Sequence, residues 1–253
     1  AKEGEKRVEL LNTKKLLKGF EITGEIPESK EIIRSTLEIA WPSVLESFLI
    51  SITGLVDTIM VSSLGSAAIA AVGLTTQPKF LGLCIFLAIS VAVSSIVARR
   101  RGEDDRKSAV KFLRMCVLIT VVLTALTSVA FLFGGDFIVD LAGSNEDTHK
   151  MAVEYLQIIM GGLIFNSVTI VINAAQRGAG NTKIAMKTNI TSNVVNVVFN
   201  YLLIGGNFGF PALGVKGAAI ATVIGTAVGC AMSIMSVLNK DSFVYFRGAK
   251  GWM

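Results

Sequence analysis

Glu46 and Asp57 stand in a stretch, residues 37–64, that is otherwise mostly apolar and long enough to cross a bilayer. A carboxylate near the middle of such a span costs roughly 2.5–3.5 kcal/mol to insert, so it is usually kept for an ion or a proton to use. The two acids are three helical turns apart and share a face with Ser43, Ser47 and Gly54. A second pattern lies further on, where Asn189, Asn193, Asn196 and Asn200 recur at spacings of 4, 3 and 4. At about 3.6 residues per turn these amides form one continuous stripe. One carboxylate among amide and hydroxyl oxygens in a poorly solvated pocket can hold either a proton or a monovalent cation such as Na⁺. The stripe then lines a cavity, and the alternative is that it glues helices together through buried amides. For Asp57 the alternative is a structural acceptor for a neighbouring amide.

The elements that must position these groups are membrane helices. Of the 253 residues 52% are hydrophobic and the mean hydropathy is +0.62, which points to a helical integral membrane protein. The apolar runs are continuous rather than alternating, which disfavours a β-barrel. Six spans are predicted, at 37–64, 67–98, 107–133, 148–176, 183–206 and 214–239, behind a leader over 1–36 that can form a short amphipathic surface helix or remain a tail. Pro42 lies in the first span, and Gln77-Pro78 predicts a kink in the second. Asn166, Asn173 and Gln176 carry the polar theme into the fourth. The sixth is rich in Gly and Ala, which lets neighbours approach closely, and bears Thr222. Counted from the outer ends of their spans, Asp57, Asn196, Asn200 and Thr222 fall at one level. Glu46, Gln77, Asn166, Asn189 and Asn193 are read as lining the cavity.

Lys and Arg concentrate in the leader, in 98–107, around 176–187 and after 239, whereas the loop after the third span carries Asp136, Asp140, Glu146 and Asp147. This alternation predicts a multi-pass protein of the cell (plasma or inner) membrane with both ends in the cytoplasm. It also accounts for the net charge of +5 without a nucleic-acid partner. Cys84, Cys116 and Cys230 form no disulfide or zinc pattern and read as small core residues. With His149 as the only histidine, no His-based metal site and no Ser–His or Cys–His catalytic set is expected, so the chain is not read as an enzyme and no cofactor is expected beyond a coupling H⁺ or Na⁺.

Taken together, EIAWPSVLESFLISITGLVDTIMVSSLGSAAIAAVGL, VARRRGEDDRKSA and AAQRGAGNTKIAMKTNITSNVVNVVFNYLLIGGNFGFPALGVKGAAIAT resemble the multidrug and toxic compound extrusion (MATE) antiporters over residues 31–239. The resemblance implies an all-α fold, a six-transmembrane-helix bundle that is one lobe of a two-lobe, twelve-helix, V-shaped transporter. It implies export of cationic or amphipathic small molecules in exchange for H⁺ or Na⁺, with membrane lipid around the protein and a second homologous lobe as partner. By the same resemblance Asp57 is the ion- or proton-coupling acid, and Asn173, Asn196, Asn200 and Thr222 are the polar positions around it. Some members carry a second aspartate where this chain has Asn200, which weighs against a mechanism that needs two acids there. Glu46 has no counterpart in the resemblance. Residues 240–253 then begin a cytoplasmic inter-lobe linker.

Three other classes are weighed. A lipid-linked precursor flippase of the same superfamily tends to line its cavity with several basic residues for pyrophosphate, and the spans here are read as containing almost none, apart from Lys111, Arg114 and Lys216 near their ends. The membrane half of an ATP-driven pump lacks support because GAGNTK does not have phosphate-loop spacing. A non-transporting membrane scaffold has no use for a buried acid.

Overall fold

The computed structural model describes residues 29–240 and 242–246, and among these the regular structure is entirely helical. The helices are α1 (Ser29–Ser62), α2 (Ser66–Leu74), α3 (Thr76–Gly102), α4 (Arg106–Leu141), α5 (Glu146–Gly161), α6 (Leu163–Gly178), α7 (Thr182–Gly205) and α8 (Val215–Leu238), with a 3-10 turn at Asn207–Gly209. Most of the predicted leader, including its surface helix, and most of the predicted linker lie outside the described residues. Residues 29–36, predicted as the end of the leader, are already helical and form the first part of α1.

Packing divides the chain after Leu45. The described part of the first unit is the beginning of α1, which contains Pro42 and an exposed Arg34–Glu38 ion pair at 3.0 Å. The second unit, from Glu46 onward, holds the rest of α1 and all the other helices.

Two predicted spans are broken. The predicted kink of the second span sits at Thr75, between α2 and α3, where the Thr75 hydroxyl donates to the carbonyl of Val72 at 2.7 Å. Pro78 lacks an N–H for the Leu74 carbonyl and its ring crowds that group, so the break falls one turn upstream of the proline. The fourth span bends by 48° between α5 and α6. A Cβ at Gly162 would lie 2.6 Å from a methyl of Val223, so the glycine at this bend lets α8 come close. The third span is longer than predicted. Gly134 and Gly135 read as a helix end, yet α4 runs through them to Leu141, with Gly135 buried where α5 places Gln157. Asp136 and Asp140 are therefore helical.

By length and composition, four helical stretches among the described residues can cross a membrane, or five when α5 and α6 count as one bent span. These four include α2 and α3 taken together. α7 has 24 residues, the length of a span, but its asparagines and two lysines leave it less apolar than the others. Its polar face is instead covered within the protein. α7 packs along α8, and a Cβ at Gly225 would stand 2.7 Å from the carbonyl oxygen of Ser192 and 3.0 Å from the Cβ of Asn196. The Gly/Ala composition of the sixth span thus translates into backbone-to-backbone contact with the asparagine helix.

The apolar interior has three regions. One joins α3, α4, α6 and α8 around Val97, Leu113, Ile172 and Val237. A second joins α2 to α5 around Phe86, Leu156 and Met160. The third seats the end of α1, through Val61, against Tyr155, Ile204 and Ala219. Cys116 and Cys230 are buried as predicted, but Cys84 is exposed. Between α3 and α4, Glu103 takes hydrogen bonds from Arg99 and Arg100 at 2.9 and 2.7 Å, and Asp105 caps α4 by accepting from the Ser108 N–H at 3.1 Å. The Arg99 bond, then the Arg100 bond, holds the Glu103 carboxyl below its ordinary range. The Ser108 bonds do the same for Asp105.

Candidate functional site, an acid and amide pocket between helices

The third core region forms the floor of the candidate site. α1 presents Asp57 toward α7, whose 3.6-residue periodicity puts Asn196 and Asn200 on the facing side one turn apart. Asn200 Nδ2 donates to Asp57 Oδ1 at 2.6 Å. With its nitrogen turned to the acid, the Asn196 amide donates to both Asp57 oxygens at 3.0 and 3.2 Å. Its own oxygen then accepts from the N–H and Oγ1 of Thr222 at 3.2 and 3.1 Å. Asp57, Asn196, Asn200 and Thr222, predicted at one level, are thus joined in one hydrogen-bonded group. Ser192 Oγ donates to the Gly225 carbonyl at 2.8 Å and ties α7 to α8 one turn away from Asn196.

A cavity of about 190 Å³ opens on this group, lined by Asp57, Thr58, Thr76, Tyr155, Asn200 and Thr222 among others. Asn196 and Asn200 are almost wholly buried. The Oδ1 of Asn200 is buried yet has no hydrogen-bond partner, although a buried amide oxygen left unpaired costs about 1–3 kcal/mol. A carboxylate, a free amide oxygen and nearby hydroxyls form an all-oxygen donor set, which is the chemistry of a hard monovalent cation or a proton.

Two residues missed by the sequence reading belong to the same neighbourhood. Tyr155 of α5 lines the cavity, and the Lys79 ammonium of α3 lies 5.1 Å from the centre of its ring, within electrostatic reach of Asp57. Lys79 lies inside the second predicted span, yet it is not among the basic residues weighed for a flippase; a lysine directly after Gln77-Pro78 in an apolar run was the available signal. Tyr155 gave none, because an aromatic residue in a span is ordinary.

Asn173 does not join Asp57, contrary to expectation. It lies in a second polar cluster three turns away along α7. There Asn173 Nδ2 donates to Asn189 Oδ1 at 3.2 Å, and Ser233 Oγ donates to Asn173 Oδ1 at 3.0 Å. Asn189 Nδ2 in turn donates to Glu46 Oε1, and Arg177 Nη1 stands 3.7 Å from the same oxygen. The physical reason is that α6 reaches this level near its last turn, so residue 173 meets Asn189 rather than Asn200. Glu46 and Asn189, expected to line an open cavity, are engaged with partners, and the Glu46 side chain is only 13% exposed. Asn166 and Asn193 are half-buried and belong to neither cluster, while Gln77 is exposed on an outer groove beside Asn145 and Thr148. Arg114 and Lys216, the basic residues near span ends, pair elsewhere: Arg114 lies over Phe246, and Lys216 meets Glu154 at 2.9 Å.

A helical membrane protein with an acid-and-amide pocket between its first and later spans is the class defined by this arrangement. Residues 42–202 match the family model described as MatE, and the chain belongs to that family. Among curated proteins it is similar to the probable multidrug resistance protein NorM of Thermotoga maritima, 29% identical over 239 residues, covering 92% of this chain and 50% of the relative. Among solved structures it resembles a MATE crystal structure in the bent conformation, with TM-score 0.74 and 27% identity over 83% of this chain and 46% of the other. It also resembles the outward-facing conformation of a multidrug resistance MATE family transporter of the MOP superfamily, with TM-score 0.76 and 26% identity at the same coverage. The chain spans about half the length of the curated relatives it matches.

Proposed function

We propose that the protein is a secondary active exporter that exchanges cationic or amphipathic compounds for H⁺ or Na⁺ by alternating access, with Asp57 as the coupling acid. The observation that carries this reading is the unpartnered, buried Oδ1 of Asn200 beside a carboxylate. An ion bound there would gain the Asp57 charge and an oxygen ligand that is otherwise unsatisfied. Protonation of the carboxylate would turn one of its oxygens into a donor, so the hydrogen bonds that join α1 to α7 and α8 would change. Ion occupancy then alters how α1 packs, which is the element an alternating-access cycle needs. Asn173 is reassigned from this site to the neighbouring cluster.

The substrate path is proposed to lie between this lobe and a second, homologous one. The coverage of about half of each relative supports this reading, and so does the known transporter plan of parallel repeats about an axis along the membrane normal. Basic residues in 98–107 and 176–187 support a plasma- or inner-membrane location with both chain ends cytoplasmic.

The test uses the full-length protein in liposomes loaded with a fluorescent cationic dye, with pH and Na⁺ gradients imposed separately. Dye movement driven by one gradient, and lost in Asp57→Asn, is the expected result and names the ion. Absence of movement under both gradients would overturn the exporter reading and favour a flippase.

A further inference from the structure

From Glu46 onward, α1 makes few contacts with the other helices. Phe48, Ile50, Leu55 and Ile59 are exposed, and a Cβ added at Gly54 would meet nothing within 4 Å. Two places hold it. The outer one combines Asp57 with the apolar seat of Val61. The inner one is Glu46, bonded to Asn189 and in ion-pair reach of Arg177, the charged side chain near it among the described residues.

The inner attachment is the start of a longer chain of bonds. Asn189 is held by Asn173, which accepts from Ser233. One turn along α8, Ser236 Oγ donates to the Ser233 carbonyl at 2.7 Å and accepts from Gln176 Nε2 at 2.9 Å. Gln176 also donates to Ser242 Oγ at 3.2 Å, in the segment that follows α8. That segment is itself anchored. Val244 is fully buried, Arg106 donates to the carbonyls of Lys240 and Ser242, and the Arg101 guanidinium lies 4.7 Å from the centre of the Phe243 ring. Glu46 therefore ties α1 to α6, α7, α8 and the start of the chain that leaves them.

We infer that Glu46 is a positioning residue for ion coupling: it clasps α1 three turns below Asp57 and sets how the outer acid is presented to Asn200. The inference rests on the proposed role of Asp57. Among the described residues, one amide hydrogen bond and a 3.7 Å guanidinium contact hold this carboxylate, a clasp that can open, unlike a bidentate arginine pair. Its opening would loosen the middle of α1, where Phe48, Ile50, Leu55 and Ile59 are exposed, while Val61 stays seated.

The experiment uses the full-length protein with its native cysteines replaced, spin-labelled at positions 48 and 194, both exposed in this chain. Distances between the labels are measured alongside the H⁺ or Na⁺ concentration that gives half-maximal dye efflux. In Glu46→Gln the distance distribution should broaden and the ion midpoint should move severalfold, and Glu46→Asp should restore both in part. Should Glu46→Gln fail to fold, Asn173→Ala removes the next link and leaves the acid, and should give a smaller change of the same kind. Unchanged distances in the folded variants would overturn the clasp, and broadened distances with an unmoved midpoint would reduce Glu46 to a structural contact. Retained transport in Asp57→Asn would instead overturn the coupling role of Asp57 and leave the distance result standing.

Discussion

Asn200 donates to Asp57 across a separation of 143 residues, and the same separation joins Asn189 to Glu46. Equal offsets mean that α1 and α7 run parallel and in register over three turns. Each level of this two-rung arrangement pairs one acid with one amide. The rungs differ in what lies beyond them: the outer one faces a cavity and an unsatisfied oxygen, the inner one faces an arginine and a chain of hydrogen bonds.

Asp57→Asn should abolish gradient-driven export and leave helical content and membrane insertion unchanged. The amide keeps the size of the acid but cannot take up or release charge. Efflux at the parent level, with matched expression, would refute the coupling role.

Asn196→Ala removes a donor to the Asp57 carboxylate. A hydrogen bond to a charged group is worth about 1.5–3 kcal/mol, so the ion dependence of efflux should shift about tenfold to a hundredfold. Thermal unfolding in detergent should shift less than ion dependence does. Equal losses of both would favour the helix-glue reading of the stripe.

Gly225→Ala puts a methyl carbon where the Ser192 carbonyl and the Asn196 Cβ already stand. Overpacking of this kind costs about 1–3 kcal/mol, and separating α7 from α8 also moves Asn196. A lowered melting temperature together with weakened ion dependence is expected. Gly54→Ala, with open space around it, should change neither folding nor melting temperature.

The turn between α3 and α4 should respond to acid. Folding holds Glu103 and Asp105 below their ordinary carboxylate values, so the unfolded state binds the extra protons first. Their stabilising contribution is complete above the unfolded carboxylate range, about pH 4, and is lost as the pH falls through the lower folded values. Local stability of the first turn of α4, followed by spectroscopy of a probe there, should hold from pH 7 to 5 and decline below that range. Asp105→Ala should remove the dependence on this cap. A transition near pH 6–7 would contradict the assignment.

Arg106→Ala should release the segment after α8, because this side chain holds two of its carbonyls. Limited proteolysis should then cut within 240–246 faster than in the parent, with the helices left intact.

Much of this protein follows from periodicity and composition. Asp57 in an apolar span, the 4-3-4 asparagine stripe and the glycines of α8 identify a helical membrane protein, a polar helix face and a close helix pair. Each is a property of one helix, and a 3.6-residue repeat reports it directly. Periodicity says which residues share a face but not what meets that face. Tertiary structure therefore decided that the stripe divides between two acids, that Asn173 serves the inner one, and that Lys79 and Tyr155 stand near the outer one. It also decided where helices break. Gly162 interrupts the fourth span beside the close-packed Val223, whereas Gly135 lies within a continuous helix. The two glycines look alike in sequence, and only the neighbours that pack on them distinguish a bend from an unbroken run.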